Sequence, residues 1–139
     1  MLLIDETNAE KHLRDAQFAF LCLDEGKPKA LAIAKLTEYG VPFVDVGMGL
    51  LVKDSQVTGI LRVTTSTPQQ RGAHRRIPCG ENDAANEYDK NIQVADLNAL
   101  NAALAVLKWK KLFGFYADNE GEHFSTYTID GNLLTSDET

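Results

Sequence analysis

An unbroken apolar run at residues 18–23 and a mostly apolar run at 41–46 are separated by a polar break and a helix-like segment. A short, continuously apolar run is typical of a strand that is covered on both faces, as in a parallel sheet. Pro28 suits the first turn of the intervening helix, and Gly40 suits its end. We therefore expect a strand–helix–strand crossover, which nearly always joins parallel strands.

The rest of the chain alternates between apolar and polar positions and then becomes helical. Residues 50–67 predict a hairpin with a polar turn at 53–56. Residues 92–113 predict a long helix with leucines on one face and lysines near its C-terminal end. Residues 124–129 predict a last strand, and 135–139 a frayed tail. The fold class expected from these elements is α/β, with a mixed sheet and flanking helices.

The segment 68–90 between the hairpin and the long helix is longer than most loops in compact domains, so it is either functional or disordered. It carries Cys79 and a basic group that could contact the acidic residues 81–89, steer a partner or simply be solvated. Positive charge near a thiol lowers its pKa, so Cys79 is either a reactive thiolate or an incidental surface cysteine. The basic group consists of Arg71, His74, Arg75 and Arg76.

Polar residues interrupt two of the apolar elements. Asp45 lies in the second apolar run, and a buried carboxylate needs a partner, which could be a neighbouring loop or the active site. Asn98 and Asn101 lie one turn apart on the long helix. We expect them to fix packing by bonding to the backbone, and the alternative is a subunit contact.

Composition narrows the classes of function. Hydrophobic residues make up 44% of the 139 residues, which favours a packed core over disorder. The net charge of -6 disfavours a sequence-blind nucleic-acid binder. Cys22 lies in an apolar run and is expected to be a buried thiol, and with only two cysteines neither a disulfide framework nor a zinc site is expected. This cysteine usage makes a reducing cytoplasm the expected compartment. The charged N-terminal segment does not resemble a signal peptide, and no apolar stretch is long enough to cross a bilayer, so no membrane partner is expected.

Four segments, in their order along the chain, resemble a known family. They are the strand ending in an aspartate at 18–24 (FAFLCLD), the strand and glycine turn at 41–49 (VPFVDVGMG), the helix at 91–111 and the segment 127–132. Together they resemble the second half of the ubiquitin-activating-like adenylyltransferases, the superfamily that includes ThiF, MoeB and HesA. The likeness covers nearly the whole chain, so residues 1–139 are interpreted as one partial, Rossmann-like domain.

The resemblance implies an ATP- and Mg²⁺-dependent enzyme that adenylates the C-terminal carboxylate of a ubiquitin-like or sulfur-carrier protein. It implies that Asp24 helps to hold Mg²⁺ and the ATP phosphates. Lys29 stands where the family usually has an arginine, five positions after that aspartate, and is the second nucleotide-binding candidate. Relatives also place a thioester-forming cysteine in the crossover loop, which makes Cys79 a catalytic candidate, although the residues that normally follow that cysteine differ here. Relatives commonly form homodimers.

The position of Asp24 in the predicted sheet is a second reason to expect that it binds a ligand. Ligands on open parallel sheets bind at the carboxyl ends of the strands, and Mg²⁺ prefers one or two carboxylates together with phosphate oxygens. The alternatives are that Asp24 caps the following helix or faces water.

The family's glycine-rich phosphate loop is not found in this sequence. Such a loop lets backbone N–H groups approach phosphate, but the first glycine here is Gly26, and Gly47 and Gly49 are expected to join a strand to a hairpin. We therefore expect the loop to come from an N-terminal half, in the same gene or a separate chain, and this chain alone to be inactive. The alternative is a non-catalytic dimerising or binding module. A fragment of a nicotinamide-dependent oxidoreductase is disfavoured, because it would need the same loop.

Overall fold

The computed structural model describes residues 4–79 and 92–137. Its helices and strands, in chain order, are α1 (Ala9–Leu13), β1 (Ala19–Leu21), α2 (Lys27–Glu38), β2 (Phe43–Lys53), β3 (Gln56–Ser66), a 3-10 helix (Gly72–Arg76), α3 (Ala95–Leu112), β4 (Phe124–Thr128) and β5 (Leu133–Asp137). No helix within these residues is long and apolar enough to cross a bilayer.

The strands form one five-stranded sheet in the order β1-β2-β3-β4-β5. β1 and β2 are parallel, with Leu21 opposite Asp45, and the other neighbouring pairs are antiparallel. The α/β class and the strand–helix–strand crossover are thereby confirmed.

Helices cover both faces of the sheet. Phe43 of β2 packs in a core with Leu36 of α2, whereas the next residue, Val44, packs with Ala105 of α3. Successive side chains of a strand point to opposite faces, so α2 and α3 lie on opposite sides of β2. A site at the end of β1 therefore lies between these two helices.

β2 is one continuous strand, which corrects the predicted break between a strand at 41–46 and a separate hairpin arm. Gly47 and Gly49 lie within it, opposite Arg62 and Ile60 of β3. The pairing runs without interruption to the turn, and it satisfies the backbone of the glycines that the sequence reading placed in a turn.

β1 is shorter and more exposed than its apolar sequence indicates. It pairs with β2 over three residues, and no second neighbouring strand lies beside it in the described part of the chain. Phe20 is 41% exposed, and Cys22 is exposed rather than buried. The expectation of a strand covered on both faces, and of a buried Cys22 thiol, was wrong because β1 lies at the sheet edge.

The predicted frayed tail is also corrected. Residues 135–137 belong to β5, which pairs with β4 so that Asp137 lies opposite Phe124. Asp137 in addition forms a 2.6 Å ion pair with Arg76. The remaining residues 138–139 lie outside the described residues.

Candidate functional site

A cleft of about 330 Å³ opens where β1 ends and β2 continues. The loop at 22–25 forms one wall, and residues 46–48 of β2 with Arg62 of β3 form the floor. Lys29 of α2 and the first turns of α3 complete it. The cleft thus lies at the carboxyl end of β1, the edge at which parallel sheets bind ligands.

Asp24 is exposed and lines this cleft. It does not cap α2, because the N-cap residue is Gly26 and no side chain bonds to the cap. The helix-cap alternative is therefore excluded. The Asp24 carboxylate faces the cleft and solvent, where it is accessible to a cation.

Lys29, the second nucleotide-binding candidate, is 1% exposed and pairs with Asp45, which is 2% exposed. Its Nζ lies 2.9 Å from Oδ1 of Asp45, although the angle leaves that oxygen without an aligned hydrogen bond among the described residues. Burial raises the pKa of Asp45, and the charges of Lys29 and Arg62 offset this only in part. Asp45 therefore pairs with a lysine of α2 and not with a neighbouring loop, and Lys29 forms the base of the cleft.

Arg62 is a cleft residue that sequence reasoning missed, since residues 50–67 were interpreted only as a hairpin. Its guanidinium lies over Gly47, the residue opposite it on β2. A Cβ atom at Gly47 would lie 3.1 Å from Nη2 of Arg62, so the glycine makes room for the guanidinium. The sequence contains both residues, but that Arg62 lies opposite Gly47 is known only once the register of β2 and β3 is known.

Asn101 of α3 bonds to the same glycine. Its Nδ2 donates to the carbonyl oxygen of Gly47 at 2.8 Å, which confirms the expected packing to backbone. Its Oδ1 is buried and has no hydrogen-bond donor among the described residues. Asn98, one turn earlier, bonds to Gln93 at 3.2 Å and also lines the cleft.

Cys79 does not line the cleft. It is half-buried, and its Sγ lies 3.8 Å from the carbonyl oxygen of Ile77. Three of the four residues of the basic group make contacts elsewhere. Arg71 and His74 both contact Ser66 of β3, and Arg76 pairs with Asp137.

These contacts hold the start of the long loop to the sheet. Burial, and then the charge of Arg71, lower the pKa of His74. The acidic segment 81–89 that was considered as a partner of the basic group lies outside the described residues.

The carboxylates of the cleft suit a metal ion whose remaining ligands come from water or a bound molecule. The described residues hold no group of three or more His, Cys, Asp or Glu side chains arranged for a metal ion. Asp24 and Glu25 both line the cleft, however. Mg²⁺ commonly binds through one or two carboxylates, with phosphate oxygens and water completing its shell. The two carboxylates are a donor set of the kind that fits Mg²⁺ when its remaining ligands come from outside the protein.

A second cavity, of about 550 Å³, lies near the start of β1 and differs in chemistry. Its walls include Phe18, Pro42 and Phe113, and no aspartate, glutamate, lysine or arginine among residues 4–79 and 92–137 lines it. His123 also lines it, and burial followed by the charge of Lys108 lowers the pKa of His123. Within the described residues this cavity offers no carboxylate for a metal ion, whereas the smaller cleft has two, so the smaller cleft is the candidate site.

No protein-family model matches the sequence, and no curated protein matches it. The case for a function therefore depends on the cleft and on the sequence resemblance.

Proposed function

We propose that this chain forms part of the active site of a ThiF-type adenylyltransferase, which uses ATP to activate the C-terminal carboxylate of a ubiquitin-like or sulfur-carrier protein. The observation that carries the proposal is that one cleft at the carboxyl end of β1 collects Asp24, Lys29 and Arg62. Asp24 stands at the position of the family's Mg²⁺-binding aspartate, and Lys29 stands where the family usually has an arginine.

Asp24 and Lys29 have different roles in this proposal. Asp24 holds Mg²⁺, which supplies positive charge next to the phosphates of ATP when it is bound. Lys29 is held in place by its ion pair with Asp45 and shapes the base of the cleft. The carboxylate of the carrier attacks the α-phosphate, so that AMP becomes joined to the carrier and pyrophosphate leaves. A glycine-rich segment from outside this sequence contacts the remaining phosphates.

A dimerising or binding module without catalysis is the second candidate, and it is favoured by exposed apolar side chains. Phe113 is 58% exposed and Phe115 72% exposed, at the C-terminal end of α3. An apolar surface of this kind is typical of a contact with another chain. Both candidate functions predict self-association, so a dimer mass from light scattering does not distinguish them. A requirement for Asp24 in catalysis distinguishes them, because only the first function needs it.

Replacing Asp24 with asparagine is expected to lower carrier-dependent exchange of pyrophosphate into ATP by about 10²-fold or more, because it removes the charge that positions Mg²⁺ and the phosphates. The assay uses this chain completed by a glycine-loop half, fused or added as a second chain, at fixed Mg²⁺. Asp15→Asn, an exposed aspartate after α1, is the matched control and should keep the wild-type rate. Full activity of Asp24→Asn would refute the role of Asp24.

A further inference from the structure

The larger cavity, of about 550 Å³, lies at the opposite end of β1 from the cleft and has no role in the proposed function. Its lining residues stand at the ends of elements: 18 and 42 precede β1 and β2, 67–70 follow β3, 112–113 end α3 and 123 precedes β4. Small-molecule sites are concave and commonly have volumes of about 300–1,000 Å³. The cavity is therefore of the size that holds a ligand.

Backbone hydrogen bonds hold the walls of this cavity in place. Thr67 and Gln70 exchange two bonds of 3.0 Å across the turn that follows β3. His123 is fixed from two sides, because the N–H of Thr65 donates to its carbonyl oxygen at 2.7 Å. Its own N–H donates to the carbonyl oxygen of Asp137 at 3.2 Å. The cavity is therefore preformed, as ligand sites usually are.

The rings and prolines of the cavity favour a flat, uncharged ligand. The rings of Phe18 and Phe113 meet edge to face with their centroids 5.9 Å apart, and Pro42 and Pro68 lie in the same lining. Aromatic rings favour edge-to-face or offset neighbours, so a further ring packs well against such a pair. A charged ligand would find no aspartate, glutamate, lysine or arginine as a partner among the described residues that line the cavity. Burial of an unpaired charge is costly, so an uncharged ligand is favoured.

His123 provides the polar contact. It is 7% exposed, and its Nδ1 is buried without a hydrogen-bond partner among the described residues. A buried polar atom without a partner is costly, so a ligand that bonds to Nδ1 removes that cost. An uncharged imidazole nitrogen donates or accepts according to its tautomer, whereas a hydroxyl group does both. A hydroxyl therefore fits Nδ1 in either tautomer.

We propose that this cavity binds an uncharged, flat aromatic molecule that carries a hydroxyl group. The hydroxyl bonds to Nδ1 of His123, and the ring packs against Phe18 and Phe113. The inference does not depend on the proposed adenylation function, because no residue that lines the cleft also lines this cavity in the described part of the chain.

The test is a titration of the full 139-residue chain with phenol, followed by NMR of the ring nitrogens of His123. Phenol should shift the Nδ1 signal and bind with a dissociation constant on the order of 1 mM, which is reasonable for so small a molecule. Toluene and benzoate are the comparison probes, because they keep the ring and replace the hydroxyl with a methyl or a carboxylate. Benzoate should bind about tenfold more weakly or worse, because its charge has no partner in the cavity.

Replacing His123 with phenylalanine keeps a ring and removes the nitrogen. The preference for phenol over toluene, measured as the ratio of their dissociation constants, should fall by about tenfold, because one hydrogen bond is lost. The ratio cancels the difference in apolarity between the two probes. His123→Asn should retain part of the preference, because the asparagine amide keeps a polar atom next to the Cγ position. His12→Phe is the matched control, since His12 is exposed on α1, and it should keep the wild-type ratio.

Phe113→Ala is the second variant, which covers the case that His123→Phe fails to fold. Phe113 is 58% exposed, so its removal opens one wall of the cavity with little loss of buried core. It should weaken the binding of phenol and toluene alike, by about tenfold. Phe115→Ala is its matched control, because Phe115 is 72% exposed and does not line the cavity.

An unshifted Nδ1 signal of His123 at saturating phenol would overturn the inference. An unchanged ratio in His123→Phe would overturn it, and so would wild-type phenol affinity in Phe113→Ala. Tighter binding of benzoate than of phenol would make this an anion site and overturn it as well. Phenol binding that depends on His123, in a protein that never exchanges pyrophosphate, would leave the inference standing and refute the adenylation function alone.

Discussion

Replacing Lys29 with methionine is expected to lower the free energy of unfolding by about 3–5 kcal/mol, the usual cost of removing one partner of a buried ion pair. The reason is Asp45, which would stay 2% exposed with its charge uncompensated. Urea denaturation monitored by circular dichroism measures the effect. Lys35→Met is the matched control on the same helix, because Lys35 pairs with the exposed Glu38 and should cost less than about 1 kcal/mol.

Two further results would show that the loss of stability in Lys29→Met is caused by Asp45. Replacing Asp45 with leucine in the Lys29→Met background should recover much of the stability, because the buried charge is then gone. The deficit of Lys29→Met should also shrink in acid. Burial already raises the pKa of Asp45, and losing Lys29 removes a group that lowers it. A native-state pKa above the unfolded one means that stability is lost as pH rises through it. A deficit no larger than that of Lys35→Met would contradict the assigned pair.

Replacing Gly59 with alanine is expected to cost about 3 kcal/mol or more and to lower the melting temperature by about 10 °C or more. Gly59 has φ of 152°, which side-chain-bearing residues rarely adopt. Its Cβ would lie 2.0 Å from the backbone oxygen of Gly49 on the paired strand, a contact that only a shift of the β2–β3 hairpin could relieve. The expected damage is therefore to the strand pair that forms the floor of the cleft.

Gly72→Ala is the control for this substitution. Gly72 is exposed, and a Cβ there would meet no atom within 4 Å. Its melting temperature should stay close to that of the wild type. Thermal denaturation of the variants measures both changes, and equal melting temperatures for Gly59→Ala and Gly72→Ala would show that the backbone of β3 is not constrained as described.

The sequence was sufficient where local pattern decides structure. The apolar run before Asp24, Pro28 at the start of a helix and Gly40 after its end predicted the crossover, because strands and helix ends have local signatures. The pattern failed at Gly47 and Gly49, which indicated a turn but lie in a continuous strand. Pairing with β3 overrides the local preference of glycine, and that pairing is not a local property.

The candidate site was predictable only in part for the same reason. Asp24 and Lys29 could be selected through a resemblance, and both line one cleft. The contact of Lys29 with Asp45, by contrast, joins α2 to β2, and the placement of Arg62 over Gly47 requires the register of the hairpin. The sequence shows that Lys29, Asp45 and Arg62 are present, but only the packing shows that Lys29 and Asp45 are paired.

The central claim, that this chain contributes to an adenylation site, is tested most directly by pyrophosphate exchange before and after completion of the domain. The chain alone should show no carrier-dependent exchange, because stabilising the triphosphate requires backbone amides and basic groups beyond those of the cleft. Fusing a glycine-loop half of a ThiF-type adenylyltransferase before Met1 should produce exchange that requires Mg²⁺ and a carrier with a free carboxyl terminus. A fusion that is folded and binds the carrier but exchanges no pyrophosphate would contradict the claim, and robust exchange by the chain alone would contradict the need for that half.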